Sequence, residues 1–142
     1  MNIRLAYSKD AEAIQNLIAQ LGFSHSYEFI STKLEKLLDS PNDQIFVYED
    51  HATVKGLITL HFSVQLAFEG DFMSIGYLVV DENSRGQEIG KQLEEFATQV
   101  AKDRSCSLIE VYSQVKRTDA HRFYERQGYT VAEKFFSKSL DA

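Results

Sequence analysis

The sequence predicts an α/β fold of the mixed, α+β kind, with helices packed on one central sheet. Its 142 residues are about one domain's worth of chain. Hydrophobic residues make up 44% and charged residues 25%, as in ordinary globular domains. Apolar spacing alternates along the chain between a helical period and a strand period. We therefore expect a single domain over residues 1–142 with the element order β-α-α-β-β-β-α-β-α-β.

Short apolar runs with strand character recur along the chain. Ile3 and Leu5 alternate with polar residues, and the run that ends in Leu78-Val79-Val80 is apolar on both faces, which predicts a central strand. Turn residues at 49–51 and 69–71 separate the runs in the middle of the chain. The predicted strands are residues 3–5, 45–48, 54–64, 72–80, 108–112 and 131–140.

Helical stripes alternate with these strands. Ile14, Leu17, Ile18 and Leu21 lie on one face of a helix that Ser8 or Asp10 can cap and Gly22 can end. The other predicted helices cover residues 30–38, 89–101 and 119–126. Residues 23–29 fit either an aromatic connection or an irregular start of the second helix.

Charge and cysteine content narrow the function classes. The net charge is −6 and the pI about 5.2, which argues against a nucleic-acid binder. Cys106 is the single cysteine, and no histidine pair has metal-ligand spacing, so we expect no disulfide and no metal site. No apolar run is long enough for a membrane span or a signal peptide, which predicts a cytoplasmic protein without a membrane partner.

The segment with the clearest chemistry lies between the fourth strand and the third helix. Arg85, Gly86, Gly90 and Lys91 stand where an apolar strand runs into a helix. Glycines let a backbone approach a ligand closely, and the first N–H groups of a helix favour an anion. The pattern fits a diphosphate site, but a plain turn would have the same spacing. It is not a P-loop, because the Gly-Lys-Ser/Thr ending is missing.

Two motifs resemble the GNAT superfamily of N-acyltransferases. Val79-Val80-Asp81 followed by Arg-Gly-Gln-Glu-Ile-Gly-Lys-Gln-Leu at 85–93 resembles its acetyl-CoA motif, and Ala-His-Arg-Phe-Tyr-Glu-Arg-Gln-Gly-Tyr at 120–129 resembles its closing signature. Residues 115–124 also look like the aminoalkylphosphonate acetyltransferase branch. The resemblance implies a mostly antiparallel sheet of about six to seven strands flanked by about four helices.

The resemblance also implies roles for matching positions. The backbone of Leu78, Val79 and Val80 would bind the pantetheine arm of CoA. Tyr124 would face the thioester sulfur and protonate the leaving thiolate, and Arg117 falls where many relatives place an Asn near the pantetheine. The amides expected to hold the diphosphate are those of Arg85, Gly86, Gln87, Glu88, Ile89, Gly90 and Lys91.

The activity implied is transfer of an acetyl group from acetyl-CoA to a primary amine, by direct transfer in a ternary complex. A small-molecule amine is the expected partner. A CoA-binding module with weak or no catalysis, and a protein or peptide N-acetyltransferase, are the alternatives. Members of the family often form dimers, so a homodimer is a further expectation.

Two departures from the family pattern favour the non-catalytic alternative. Glu88 places a carboxylate where the family prefers glycine, which would weaken diphosphate binding unless the side chain points away. Relatives often place a base in the strand before Leu78, but Ser74, Gly76 and Tyr77 offer no carboxylate. At pH 7 only about one alkylamine in 10³ is neutral, a cost of roughly 4–5 kcal/mol. The sequence leaves open which base would accept the proton of the amine: the candidates are Glu69, Asp71, His61, Glu110 and a water chain.

Overall fold

The computed structural model describes residues 2–111, 118–131 and 136–141. They belong to two compact units, an N-terminal unit of residues 1–112 and a C-terminal unit of residues 113–142. The five strands of the described residues lie in the N-terminal unit: β1 Ile3–Leu5, β2 Asp43–Asp50, β3 Thr53–Ser63, β4 Phe72–Val80 and β5 Leu108–Val111. The helices are α1 Ala11–Gln20, α2 Tyr27–Asp39 and α3 Ile89–Asp103 in that unit and α4 Thr118–Arg126 in the other.

The strands form one sheet in their chain order, β1-β2-β3-β4-β5. Neighbouring strands are antiparallel except β4 and β5, which are parallel and joined through α3. A parallel pair needs such a crossover, because a tight turn cannot reverse the chain direction twice. The mixed, mostly antiparallel architecture and the four helices therefore agree with the sequence prediction.

Helices pack on both faces of the sheet. Leu57 and Val79 point to one face and join α1 and α2 through Leu17 and Leu34, all nearly inaccessible to solvent. Phe46 points to the other face and meets Phe96 of α3 edge to face, with ring centroids 4.8 Å apart. Alternate side chains of one strand thus face two different helical layers, which explains the apolar run at the end of β4.

The strand count is lower than predicted. The sheet has five strands within the described residues, against the expected six to seven. The predicted strand at 131–140 is wrong for Val131 and for residues 136–140, which adopt no regular structure, and its residues 132–135 lie outside the described ranges. A composition typical of strands shows only that the side chains suit a pleated surface. A strand also needs a neighbouring strand with which its backbone can pair.

The connection at residues 23–29 combines both interpretations left open by the sequence. α2 begins at Tyr27, and the Ser26 hydroxyl accepts a hydrogen bond from the Phe29 N–H at 3.0 Å. The residues before Ser26 form an irregular link from Gly22, whose φ of +103° ends α1 as predicted. Ser26 is the capping residue that the sequence analysis did not identify.

An ion pair ties β1 to the start of α1. Arg4 contacts the Asp10 carboxylate at 2.8 Å and Glu49 at 3.0 Å, and the Asp10 side chain is only 6% exposed. Burial acts to raise the pKa of Asp10, but hydrogen bonds from Arg4 and from the Tyr7 N–H outweigh it and lower that pKa below its usual value. Ser8 or Asp10 was expected to cap α1. Asp10 is its N-cap residue, but its carboxylate binds Arg4 and the Tyr7 N–H and makes no capping hydrogen bond to the helix.

Replacing Arg4 with methionine is expected to destabilise the protein by about 3 kcal/mol at pH 7, because it leaves the buried Asp10 carboxylate unpaired. Because the pKa of Asp10 is lower in the folded than in the unfolded protein, its carboxylate stabilises the fold at pH values above the unfolded pKa of about 3.9. This stabilisation is lost as the pH falls through the folded-state pKa. The difference between wild type and Arg4→Met should therefore shrink below about pH 4. Urea denaturation at pH 7 and pH 3.5 measures this difference in the free energy of unfolding. Lys55→Met, which breaks a more exposed ion pair, is the control. A difference independent of pH would contradict this role for Asp10.

Candidate active site

The site begins where β4 ends. The Asp81 N–H donates to the Lys55 carbonyl at 2.8 Å, one residue beyond the last pair of the ladder between β3 and β4. A single 3-10 turn, Glu82–Ser84, follows, and the Asp81 carboxylate accepts a hydrogen bond from the Asn83 N–H at 3.1 Å. These bonds fix the direction in which the chain leaves the sheet.

Two residues then adopt left-handed backbone conformations. Gly86 has φ +90° and Glu88 has φ +60°, and both are exposed. A glycine takes this conformation without steric cost, whereas a residue with a Cβ loses roughly 1–2 kcal/mol. The backbone at position 88 is thus one that glycine suits better, in addition to the charge that the glutamate introduces.

The N-terminus of α3 is open toward this loop. Glu88 is its N-cap residue, but no side chain caps the helix and its first turn has no acidic residue. The Gln92 N–H bonds to the Glu88 carbonyl, so the amides of Ile89, Gly90 and Lys91 have no acceptor within the helix. With the helix dipole and the exposed Arg85 and Lys91 side chains, this end of α3 favours an anion.

Close packing places this helix end against the sheet. A Cβ built on Gly56 of β3 would lie 3.0 Å from Ile89 and 3.0 Å from Leu93. Both α3 side chains are fully buried. The absence of a side chain at position 56 therefore lets the first turn of α3 approach β3, next to the end of β4.

A side chain of α1 braces the same loop. The Gln20 amide donates to Asp81 Oδ1 at 2.8 Å, and its oxygen accepts from the Glu82 N–H at 2.9 Å. Sequence reasoning missed Gln20, because a glutamine at the end of a helix carries no signal for a partner 61 residues away.

A bulge interrupts β4 before the site. Ile58 pairs with Leu78 and Leu60 with Ile75, so the two residues Gly76 and Tyr77 oppose Thr59 alone. The Tyr77 N–H donates to the Thr59 hydroxyl oxygen at 2.9 Å, and a Cβ at position 76 would lie 2.8 Å from that oxygen. A glycine inside an apolar strand is a known signal of a bulge, and the sequence analysis did not use it.

The bulge separates the two halves of β4. Within residues 2–111, the pairs between β4 and β5 run from Phe72–Leu108 to Ile75–Val111. Past the bulge, Leu78, Val79 and Val80 pair only with β3 among the described residues. Among the described residues, the side of Leu78, Val79 and Val80 that faces away from β3 has no strand partner, and this stretch leads to the N-terminus of α3.

Two further predicted residues, Arg117 and Tyr124, belong to the C-terminal unit of the chain. Arg117 is outside the described residues, and Tyr124 belongs to α4 of the C-terminal unit. The Tyr124 ring contacts Phe123 and Tyr129 edge to face, with centroids 5.2 and 5.5 Å apart. Gly128, with φ +95°, ends this helix as predicted.

The four candidate bases fall into two groups. Glu69 and Asp71 lie in the β3–β4 connection, before β4 begins. His61 and Glu110 lie in β3 and β5, each directly opposite Ser74 of β4. The described residues contain no cluster of histidine, cysteine and carboxylate groups suited to a metal ion. None of the helices described has the length and apolarity that crossing a bilayer requires.

Several known proteins are similar to this chain in sequence or in fold. The chain is 32% identical over 139 residues to the aminoalkylphosphonate N-acetyltransferase of Salmonella typhimurium, covering 97% of this chain and 90% of the relative. A transcriptional regulator from Bacillus halodurans superposes with a TM-score of 0.90 at 23% identity, over 97% of this chain and 98% of its own. Glucosamine-6-phosphate N-acetyltransferase from Arabidopsis thaliana superposes with a TM-score of 0.85 at 23% identity, over 98% and 97% of the two chains.

The model of the acetyltransferase (GNAT) family matches residues 11–129, which include the open end of α3 and the whole of α4. Enzymes of this family generally take the acetyl group from acetyl-CoA. By this match and the similarity to a curated N-acetyltransferase, the chain belongs to the GNAT family of acetyltransferases.

Proposed function

We propose that this protein transfers an acetyl group from acetyl-CoA to the primary amine of a small molecule, within a ternary complex. The observation that carries the proposal is the uncapped N-terminus of α3, which the chain reaches directly after the end of β4. This arrangement offers main-chain donors for a diphosphate and a strand edge for an extended amide-containing arm.

We place the diphosphate of CoA at the loop of residues 85–91, which carries the exposed Arg85 and Lys91 and leads into the uncapped end of α3. The pantetheine arm, which contains two amides, can pair with Leu78, Val79 and Val80 as an added strand does. The thioester then lies toward the bulge at Gly76 and Tyr77. A contact from Arg117 to the cofactor is proposed from the sequence resemblance alone.

The chemistry needs a neutral amine, a polarised carbonyl and a protonated leaving group. In the proposed step the amine nitrogen attacks the thioester carbon, and the C–S bond breaks. A backbone N–H of β4 stabilises the charge that develops on the carbonyl oxygen. Tyr124 donates its proton to the sulfur, and the proton lost by the amine goes to a base. The role of Tyr124 rests on its position in the motif at 120–129.

The charge and the backbone strain at position 88 have separable effects. We expect Glu88→Gln and Glu88→Gly to bind CoA equally well, and about three- to five-fold more tightly than wild type, because both remove a carboxylate beside the diphosphate. The gain should shrink at high salt. Only Glu88→Gly should also raise the melting temperature, since it removes the left-handed strain. Calorimetry at two salt concentrations tests this, and unchanged affinity in both variants would show that Glu88 points away from the ligand.

The proposed class of acceptor amine is based on the name of the relative from Salmonella typhimurium. Because the Salmonella typhimurium protein is named for aminoalkylphosphonates, we propose that the acceptor here is a small alkylamine that bears an acidic phosphonate group. Thiol release and mass detection of the product test it, with 2-aminoethylphosphonate, ethanolamine and a lysine peptide as acceptors. Faster acetylation of the phosphonate than of ethanolamine supports the proposal, and preference for the peptide contradicts it.

Glu88 and the missing carboxylate in β4 favour one alternative, a module that binds CoA without catalysis. Calorimetry and the acceptor assay together distinguish it, since such a module would bind CoA in the calorimeter but acetylate none of the amines tested. A protein indifferent to CoA at millimolar concentration would refute both functions. A cytoplasmic location and a homodimer stay predictions.

A further inference from the structure

A row of polar side chains crosses four strands of the sheet in register. Asp43 of β2 pairs with His61 of β3, His61 with Ser74 of β4, and Ser74 with Glu110 of β5. Directly paired residues project to the same face of a sheet. His61 also shares its face with Leu57, four residues earlier in β3, so the row lies on the face that α1 and α2 cover.

The position of this row selects between the candidate bases. If the thioester lies at the bulge, as the proposed function requires, Ser74 is two residues away along β4. Asp71 is five residues from Gly76, which corresponds to about 16 Å along a strand, and Glu69 is farther. A side chain cannot span that distance, so only His61 and Glu110, the cross-strand neighbours of Ser74, lie within reach.

His61 has the arrangement of a positioned imidazole. Its Nδ1 lies 2.8 Å from Asp43 Oδ1, and the second oxygen of Asp43 accepts the Ser40 hydroxyl at 2.6 Å. The Asp43 side chain is 18% exposed and that of His61 is 54% exposed. A carboxylate at Nδ1 favours the tautomer with the proton on that nitrogen, which leaves Nε2 with a free lone pair.

Glu110 is less suited to the task. Its carboxylate accepts a hydrogen bond from the Ser74 hydroxyl at 3.4 Å. None of the ion pairs found among the described residues includes Glu110. Imidazole is a stronger proton acceptor than a carboxylate and is the usual general base near neutral pH.

We propose that His61 is the general base of the acetyl transfer and that Asp43 is its positioning residue. The inference rests on the proposed function. Nε2 of His61 takes the proton that the amine nitrogen loses as its bond to the acetyl carbon forms, and the imidazolium then releases it to water. Asp43 holds the ring in the required tautomer and stabilises the positive charge. The role that relatives often give to a carboxylate in the strand before Leu78 thus passes to the neighbouring strand.

The first test is His61→Ala with saturating acetyl-CoA and the best amine of the panel. We expect kcat to fall about 10²- to 10³-fold, CoA affinity to stay within two-fold, and added imidazole to restore part of the rate. The matched control is His51→Ala, which removes a histidine that is 92% exposed and also lies 3.0 Å from an aspartate. A kcat within three-fold of wild type for His61→Ala would overturn the proposal, as would a loss of rate without imidazole rescue. A collapse in Glu110→Gln alone would assign the base to Glu110.

The second test addresses Asp43 without relying on turnover. In wild type, the ¹⁵N shifts of the His61 ring should show the neutral tautomer with its proton on Nδ1, and Asp43→Asn should shift the population toward Nε2–H. The same variant should lower kcat about ten-fold with little change in KM for the amine. An unchanged tautomer would overturn the positioning role. An inactive wild-type protein would instead refute the proposed function, which separates the two failures.

Discussion

Replacing Gly90 with aspartate is expected to abolish CoA binding while the protein stays folded. Gly90 is the second residue of α3, directly behind the exposed loop at 85–88. An added carboxylate would lie within several ångströms of the diphosphate, where like charges cost a few kcal/mol at an effective dielectric constant of about 20. We therefore expect the affinity for CoA to fall at least 100-fold, measured by calorimetry.

Folding and binding should respond in opposite directions to this substitution. An acidic residue in the first turn of a helix interacts favourably with the dipole, by about 0.3–1 kcal/mol, and any residue other than proline is a better helix former than glycine. The melting temperature of Gly90→Asp should thus equal or exceed that of wild type. Gly90→Asn is the control, since it has nearly the same size without the charge. Normal CoA binding by Gly90→Asp would show that the diphosphate lies elsewhere.

The parts of the fold that the sequence predicted best are those fixed by local periodicity. The apolar stripe at residues 89–101 belongs to α3, observed at Ile89–Asp103, and the glycine at 22 ends α1 with the positive φ expected of it. The predicted run at 72–80 is β4 to the residue. In each case the sequence signal comes from residues that are close together in the chain. The tertiary contacts favour the same local structure.

The parts that sequence reasoning missed depend on pairs of residues far apart in the chain. The bulge at Gly76 and Tyr77 has a local signal in its glycine, but the hydrogen bond from the Tyr77 N–H to the Thr59 hydroxyl joins two different strands. The brace from Gln20 to Asp81 likewise joins two elements that have no common sequence pattern. No periodicity encodes such contacts, which appear only when the register of the strands is known.

The candidate base illustrates the same limit. The sequence reduced the choice to four side chains by residue type, but it could not rank them, since their separations in space depend on the sheet. The register places His61 and Glu110 beside Ser74 and leaves Asp71 before the start of β4. The pairing of His61 with Asp43, 18 residues earlier, could not be predicted either.

Replacing Tyr124 with phenylalanine is expected to lower kcat about 10²- to 10³-fold and to leave the affinity for acetyl-CoA within two-fold. The change removes only a hydroxyl group, so the edge-to-face contacts of the ring with Phe123 and Tyr129 are retained. Without a proton donor the sulfur must leave as a free thiolate, which raises the barrier of the step in which the C–S bond breaks.

The matched control for Tyr124 is Tyr129→Phe, which removes a hydroxyl from the ring 5.5 Å away. Rates of thiol release under saturating amine, together with calorimetry, separate kcat from binding. If both variants lose activity equally, the effect is structural. If Tyr124→Phe keeps its rate, Tyr124 is not the acid, and the thiolate leaves unprotonated or takes its proton from water. A large loss confined to Tyr124→Phe, with cofactor binding intact, would support its hydroxyl as the proton donor to the leaving sulfur, because the neighbouring variant then shows that losing a ring hydroxyl from this aromatic cluster does not by itself stop the reaction.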